Sequence, residues 1–376
     1  MDAGHNLPPL LLRVMLNFYV SNFVRVSWSG YFSEYFLAKN GVKQGGVLSP
    51  VLFCVYLDEL LHTLSAAKVG CYVGDLFVGA LAYADDLVLT APSATALRKM
   101  LAICDAYGSE YSMNFNAAKS KCMVVLPSCR RYLAPLLSKC AFNVGGSSME
   151  IVSSYCHLGH IISSSLSDEQ DIMSRRNAFI GQVNSVLCHF GKLPSVVKAR
   201  LFHSYCTSYY GSVLWDLSCS AVDDFCIAWR KSIRRIFNLP YQTHGYLLPL
   251  LCDCLPVYDD LCLRFMNFVR SCMAHQSHLV SFIARYSTMH GRFSSPVGRN
   301  IQRCAQRYAC TVEDLLLRGP VRKAVTSCVH KSFSDDQFQT AYLLQECVMV
   351  RDGLAKLPDC FTVGDMCDIA SYVSTC

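Results

Sequence analysis

Among its 22 cysteines the 376-residue chain has no C-x-x-C pair. The nearest approaches are Cys252–Cys254 and the wider Cys304–Cys310 and Cys360–Cys367 spacings, none of which matches a usual zinc-ligand pattern. A secreted disulfide scaffold is normally short, so scattered thiols in a long chain read as buried free cysteines of an intracellular protein, nuclear or cytoplasmic. Long uncharged apolar runs are also missing, and a bilayer-spanning helix needs about 20 such residues. The opening "MDAGHNLPPLLLRVMLNFYV" carries Asp2 and Arg13 and does not look like a secretory signal. No membrane partner is expected. Charge is scarce, at 16% against 52% hydrophobic residues, which excludes bulk disorder and supplies ample core. The net charge of +6 has the sign that suits an anionic partner, but its size does not demand one. Internal repeats and low-complexity tracts are absent.

What is present begins with Pro8 and Pro9, which open an apolar helical stretch to about Ser21. "FVRVSWSGYFSEYFLA" alternates through Val24, Val26 and Trp28, turns at Ser29-Gly30 and returns through Tyr35 and Phe36, the pattern of a hairpin. Ser49-Pro50 marks a helix start, with Ser49 as the cap and Pro50 at the first helical position. Phe53, Tyr56, Leu57, Leu60, Leu61 and Leu64 then share one face. Ser93 caps a further helix bearing Leu97, Leu101 and Cys104, and "KCMVVLP" reads as a strand. This order predicts an α+β domain with helices packed on a sheet. From about Asp168 the pattern turns helical: Ile172, Phe179, Val183, Val186, Leu187 and Phe190 form one stripe, and a second segment runs from Ser195 through Tyr209. A third places Trp229, Ile233, Ile236 and Phe237 opposite Arg230, Lys231, Arg234 and Arg235.

The chemistry concentrates in "ALAYADDLVLTAP", residues 80–92. Ala84-Asp85-Asp86 reads as the turn between two apolar strands, 78–83 and 87–91, placing two carboxylates at a hairpin tip. Two like charges so close disfavour each other's ionisation. A hard divalent cation removes that conflict, because Mg²⁺ takes one or two carboxylates together with substrate phosphates. The tetrapeptide alone reads equally well as a solvated, idle turn. About 40 residues upstream, "GVKQGGVLSP" sets Gln44, Gly45 and Gly46 before the Ser49-Pro50 helix start, and glycines there permit close approach of another backbone or a ligand.

Together these stretches resemble the reverse transcriptase domain of non-LTR (LINE-type) retrotransposons. "GVKQGGVLSPVLFCVYLDELL" followed by "LAYADDLVL" carries the likeness. "YGSEYSMNFNAAKSKCMVV" is similar to the motif after the catalytic hairpin, with Asn116 and Lys119 at its Asn and Lys positions. "YCHLGHIIS" is similar to the primer-grip hairpin, with Tyr155, Leu158 and Gly159 as its Tyr-Leu-Gly, and "WRKSIRRIFNLPYQTH" to the stretch that follows the thumb. The likeness covers roughly residues 1 to 245; the rest carries no nameable motif.

The resemblance implies a partial right-hand polymerase palm over residues 1–165, an all-helical thumb over 166–245, and a helical C-terminal region of unnamed role over 246–376. It implies that Asp85 binds the catalytic metal, Mg²⁺ or Mn²⁺, with support from Asp86. Tyr83 and Ala84 would lie near the primer end, Gln44, Gly45, Gly46, Ser49 and Pro50 by the template–primer and nucleotide, and Lys119 by the triphosphate. The implied reaction is attack of a primer 3′-hydroxyl on a nucleotide α-phosphate. Its partners would be an RNA template, a DNA primer and dNTPs, with no obligate protein partner evident.

The sequence departs from the family in one respect. The first metal-binding Asp of the palm belongs in a "KAFD"-like context ahead of the helix at Pro9, so it and the fingers would precede Met1. Asp2, Asp58, Glu59 and Asp75 are poor substitutes by position. The expectation is a polymerase domain catalytically incomplete by itself, with a non-catalytic nucleic-acid-binding remnant as the alternative. Arg230, Lys231, Arg234 and Arg235 suit duplex phosphates, although such runs are more often plain solvated faces. Weaker basic clusters recur at Arg292, Arg299, Arg303 and Arg307 and at Arg318, Arg322 and Lys323. His157 and His160 read as packing or surface residues, Trp28 and Trp215 as core or interface aromatics, and "HQSH" at 275–278 as no zinc site.

Overall fold

The computed structural model describes residues 8–38, 41, 45–126, 140–289, 294–317, 321–333 and 335–352. Gln44, Asp2, Arg292, Arg318 and the Cys360–Cys367 pair lie outside them. The chain divides into two compact units, Met1–Ala117 with Phe142–Ser148, and Ala118–Ala141 with Met149–Cys376. These units fall elsewhere than the expected boundaries at 165 and 245. Residues 149–165 pack with the helical unit, and 166–245 share one core with the helices that follow.

The first unit opens with α1 (Pro9–Val20), which carries its prolines where no backbone donor is missed and buries none of its residues. β1 (Phe23–Val24) pairs with β4 (Phe36–Leu37), enclosing the hairpin of β2 (Ser27–Trp28) and β3 (Tyr31–Phe32), which turns at Ser29-Gly30 as expected. Trp28 is exposed rather than part of the core.

α2 (Ser49–Ala66) starts one residue earlier than the sequence suggests, so Ser49 is its first residue and Leu48 flanks it. α3 (Ala94–Glu110) is capped by the Ser93 hydroxyl, which accepts the Ala96 N–H at 3.2 Å. Leu57, Leu60 and Leu64 of α2 recur on one face and meet Met100, Cys104 and Tyr107 of α3 in the unit's core. Tyrosines stitch the same pair: Tyr107 donates to the Tyr56 carbonyl, Tyr56 to the Tyr111 carbonyl, and Tyr111 to Glu59 Oε2 at 2.7 Å. The bond to Glu59, then burial, pushes the Tyr111 phenol up to about 12.

Two hairpins lie between these helices in sequence, β5 (Tyr72–Val73) with β6 (Leu76–Phe77) and β7 (Ala80–Tyr83) with β8 (Asp86–Leu89). The chain leaves the unit for β9 (Lys121–Cys122) and returns for β10 (Asn143–Val144) and β11 (Ser147–Ser148). There Phe142 and Val144 are buried and the Gly145 N–H donates to Asp105 at 2.7 Å.

In the second unit β9 runs parallel to β12 (Glu150–Ile151), tied by a 2.8 Å ion pair from Lys121 to Glu150. β13 (Ser154–His157) and β14 (His160–Ser163) form a hairpin ahead of α4 (Glu169–Phe190), α5 (Ser195–Tyr205) and α6 (Ser220–Ile236). Then come α7 (Leu247–Leu251), α8 (Val257–Met273), α9 (His278–Met289), α10 (Pro296–Arg307), α11 (Val312–Leu317), α12 (Val321–Lys331) and α13 (Asp335–Arg351). Phe179, Phe202, Tyr209, Trp215 and Phe225 form an aromatic centre with ring centroids 5.3–6.0 Å apart. The expected α4 stripe is buried up to Val186, but Phe190 at the helix end is exposed.

The protein is α+β, as the sequence predicts, but its strands form seven separate two-stranded ladders among the described residues rather than one wide sheet. Seventeen of the described cysteines are free thiols, and Cys54, Cys156 and Cys188 are exposed, so not all of them are the buried thiols expected. No described helix is long and apolar enough to cross a membrane.

Candidate functional site

The β7–β8 ladder pairs Ala80 with Leu89, Leu81 with Val88, Ala82 with Leu87 and Tyr83 with Asp86. Side chains alternate along a strand. Ala80, Leu87 and Leu89 pack on the core, while Leu81, Tyr83 and Asp86 are exposed on the other face. Asp86 is therefore the first residue of β8 rather than part of the turn, which consists of Ala84 and Asp85 alone. Ala84 takes φ +50°, a left-handed conformation that costs a non-glycine residue about 1–2 kcal/mol. That cost presents Asp85 at the tip next to Asp86. Both carboxylates are exposed and neither is hydrogen-bonded or ion-paired among the described residues. The pair is thus free to ligate a hard cation.

The base of this hairpin is rigidly seated. Thr90 N–H donates to the Gly79 carbonyl at 2.7 Å, Cys71 N–H to the Thr90 carbonyl at 3.0 Å and Val78 N–H to the Cys71 carbonyl at 2.9 Å. Gly70 and Gly79 face each other so closely that a Cβ on either would fall 2.8 Å from the other's Cα and 2.4–2.6 Å from the Phe77 ring. Only glycine fits at both positions.

Upstream, Gly45 has φ +77° with open space around it, and the Gly46 carbonyl accepts the Ser49 N–H at 3.1 Å. Gly45 and Pro50 are exposed and Ser49 is buried. Of the alternative acids, Glu59 is engaged by Tyr111, Asp58 is exposed on α2, and Asp75 is exposed in the β5–β6 turn. No third acidic, His or Cys side chain joins Asp85 and Asp86 in a metal-ligand group among the described residues. Lys119 belongs to the second unit, where it is exposed in the turn before β9.

The β13–β14 hairpin turns at Leu158 and Gly159, both at positive φ, with Tyr155 exposed on β13. Its turn carbonyls are held from outside. Tyr210 donates to Leu158 O at 2.7 Å, and the Arg175 guanidinium donates to Gly159 O while resting over the Tyr210 ring at 5.0 Å. Beneath them Asp171, fully buried, accepts the Ile161 N–H at 2.9 Å and the Trp215 Nε1–H at 2.8 Å, with His160 Nδ1 at 3.1 Å. Sequence reasoning missed this clamp, whose members lie 10 to 52 residues apart from the groups they hold and share no motif. His160, read as a packing or surface residue, is instead a polar neighbour of the buried Asp171 carboxylate.

On α6, Trp229, Ile233, Ile236 and Phe237 are buried as the stripe predicts. The basic side is divided in use. Arg234 donates twice to the Thr243 carbonyl, at 2.7 and 3.1 Å, and Arg235 donates to Asn184 Oδ1 at 2.8 Å. Burial, then the neighbouring Arg230, holds the Arg234 guanidinium below its ordinary value. Arg230 and Lys231 have no hydrogen bond or ion pair among the described residues.

Residues 5–162 match the family model described as reverse transcriptase (RNA-dependent DNA polymerase). The match takes in both hairpins and ends within β14, short of α6. Curated relatives include the Pol polyprotein of the type-2 retrotransposable element R2DM of Drosophila melanogaster, 34% identical over 122 residues. The Pol polyproteins of type-1 element R2 are also similar, at 40% over 91 residues in Popillia japonica and 32% over 105 in Nasonia vitripennis. These alignments cover 32%, 24% and 28% of this chain and only 11%, 13% and 10% of the relatives. The chain thus spans a small part of the curated relatives it matches. Residues 5–162, which hold the Tyr83-Ala84-Asp85-Asp86 hairpin, thus match the reverse transcriptase family, and the chain is similar over part of its length to Pol polyproteins of R2 retrotransposable elements.

Proposed function

We propose that the first unit is the polymerase palm of an RNA-directed DNA polymerase that joins dNTPs to a primer 3′-hydroxyl along an RNA template. The observation that carries this reading is the exposed, unpartnered Asp85–Asp86 pair at a strained turn, set on the face opposite the core. Oxygen donors of this kind would hold Mg²⁺ or Mn²⁺, which when bound neutralises phosphate charge and polarises a phosphoryl oxygen. Tyr83 and Leu81 offer an exposed apolar face beside the acids for the primer end. Gly45 leaves backbone open to a nucleic-acid strand. Tyr155 and the Leu158-Gly159 turn would hold the primer strand, Lys119 would meet the triphosphate, and Arg230 with Lys231 would meet duplex phosphates.

Among the described residues no third acid joins Asp85 and Asp86, and lacking one member of such a constellation usually costs orders of magnitude in rate. The 376-residue chain by itself is therefore expected to bind primer–template without extending it. Primer extension on oligo(dT)·poly(rA) with Mg²⁺, run beside fluorescence anisotropy on the same duplex, tests both points. Synthesis that Asp85→Asn abolishes would overturn the incompleteness and keep the polymerase reading. Absence of binding at low salt would overturn the nucleic-acid reading itself.

A further inference from the structure

Three ligand-bearing side chains unrelated to the polymerase hairpin converge in the second unit. His203 projects from α5, and Cys252 and Cys254 flank the turn between α7 and α8. One ligand atom from each lies within 4.8 Å of the other two. We propose that this trio is a zinc site, taking a soft-to-borderline divalent cation through two thiolates and one imidazole.

The donor set selects the metal. Thiolate and imidazole together suit Zn²⁺, whereas Mg²⁺ and Ca²⁺ require oxygen ligands. Zn–S bonds of about 2.3 Å and Zn–N bonds of about 2.0–2.1 Å in a tetrahedron place ligand atoms roughly 3.4–3.8 Å apart. From within 4.8 Å the trio needs to close by no more than about 1–1.4 Å to reach that geometry.

The surrounding structure holds the ligands together. Asp253, between the two cysteines, takes φ +48°, a left-handed conformation at the centre of a tight turn. Cys254 N–H donates to the Pro249 carbonyl at 3.0 Å and Cys252 N–H to the same carbonyl at 3.2 Å, which fixes the turn. His203 is anchored as metal-bound histidines usually are, with one ring nitrogen occupied by a carbonyl: Nε2 lies 3.2 Å from Cys252 O. Metal binding would use the tautomer with Nε2 protonated in that bond and the lone pair on Nδ1. Phe202, Leu248 and Leu251, near the trio in sequence, are all buried in the core of this unit. Cys252 is buried, while His203 and Cys254 are half-buried, so one side admits solvent and the fourth position falls to water.

Loading would convert both thiols to thiolates, release their protons, and link two segments 49 residues apart. The cysteine spacing alone does not announce such a site, because the third ligand comes from an earlier helix.

The test uses the full chain purified under reducing conditions and loaded with Zn²⁺ or Co²⁺. The zinc content of the wild type should exceed that of Cys252→Ser/Cys254→Ser by one ion per chain. The Co²⁺ form should show thiolate-to-cobalt absorption that the variant lacks. A folding defect in the variant is bypassed on wild-type protein, where Zn²⁺ should slow alkylation of Cys254 at least ten-fold and leave Cys310 unchanged, read by peptide mass spectrometry. Equal zinc content in wild type and variant, equal alkylation of Cys254 with and without zinc, or a Cys252–Cys254 disulfide in the reduced preparation would each overturn the proposal. None of these readouts depends on polymerase activity.

Discussion

The indole N–H of Trp215 donates to the buried carboxylate of Asp171 at 2.8 Å, and the same carboxylate accepts the backbone N–H of Ile161 in β14. One acid at the start of α4 thus joins the aromatic centre of the helical unit to the hairpin that carries Tyr155, Leu158 and Gly159. Burial alone would raise the Asp171 carboxyl. The bonds from His160, Ile161 and Trp215 outweigh it and hold the group below its ordinary 3.8. A depressed carboxylate stabilises the fold above its unfolded value, and that stability is lost as pH falls through the lower folded value. Asp168 is shifted the other way by burial, so the raw pH profile mixes signs and comparison with a variant isolates the effect. Asp171→Asn should lose about 1–3 kcal/mol near neutrality by leaving buried donors poorly matched. The loss relative to wild type should shrink below about pH 4, as urea midpoints across pH 3 to 7 would show.

The clamp on the hairpin turn predicts a local rather than global effect. Tyr210→Phe removes only the hydroxyl that donates to Leu158 O, a bond worth roughly 1 kcal/mol net. Amides of residues 154–163 should then exchange about five-fold faster while those of α6 are unchanged, because local opening is governed by local contacts. Arg175→Ala should exceed this, since it removes both the donor to Gly159 O and the guanidinium stacked on Tyr210. Uniform acceleration across the second unit would contradict the local reading.

Glycine substitutions should show opposite signs in the two units. Gly79→Ala drives a methyl into Gly70 and the Phe77 ring at the base of the acidic hairpin, at a cost of about 1–3 kcal/mol for overpacking. Gly181→Ala, inside α4 with nothing within 4 Å of the new Cβ, should stabilise by about 0.5–1 kcal/mol through helix propensity. Thermal unfolding of the two variants beside the wild type checks both. A neutral Gly79→Ala would mean that the hairpin base is looser than its contacts indicate.

What the sequence made legible follows the range of the forces involved. Helix faces such as Leu57–Leu60–Leu64 and Trp229–Ile233–Ile236 repeat within a few residues, so periodicity revealed them, and the acidic hairpin announced itself by alternation. The exact turn did not, because whether Asp86 pairs with Tyr83 depends on Ala84 adopting a left-handed backbone, for which alanine gives no sign. Distant partnerships were invisible for the same reason. Asp171 reads as one more acid at a helix start, and His203 as one more helical histidine, until the chain brings Trp215 and Cys252 beside them.

The basic helix gives the sharpest division between structural and functional charge. A reading from sequence would substitute Arg234 and Arg235, but both are committed to neighbouring segments, to Thr243 and Asn184. Arg230 and Lys231 remain uncommitted among the described residues. Each cation placed on a duplex phosphate releases condensed counterions and contributes about 0.9 to the slope of log affinity against log salt. Arg230→Gln with Lys231→Gln should therefore flatten that slope by about 1–2 for a primer–template duplex and leave the unfolding midpoint within experimental scatter. Arg234→Gln should do the reverse, lowering the midpoint through the lost tie to Thr243 while keeping the slope. Anisotropy titrations from 50 to 300 mM salt, paired with thermal melts, separate the two. If Arg230→Gln with Lys231→Gln leaves the slope untouched, the face is solvated and the phosphates bind elsewhere.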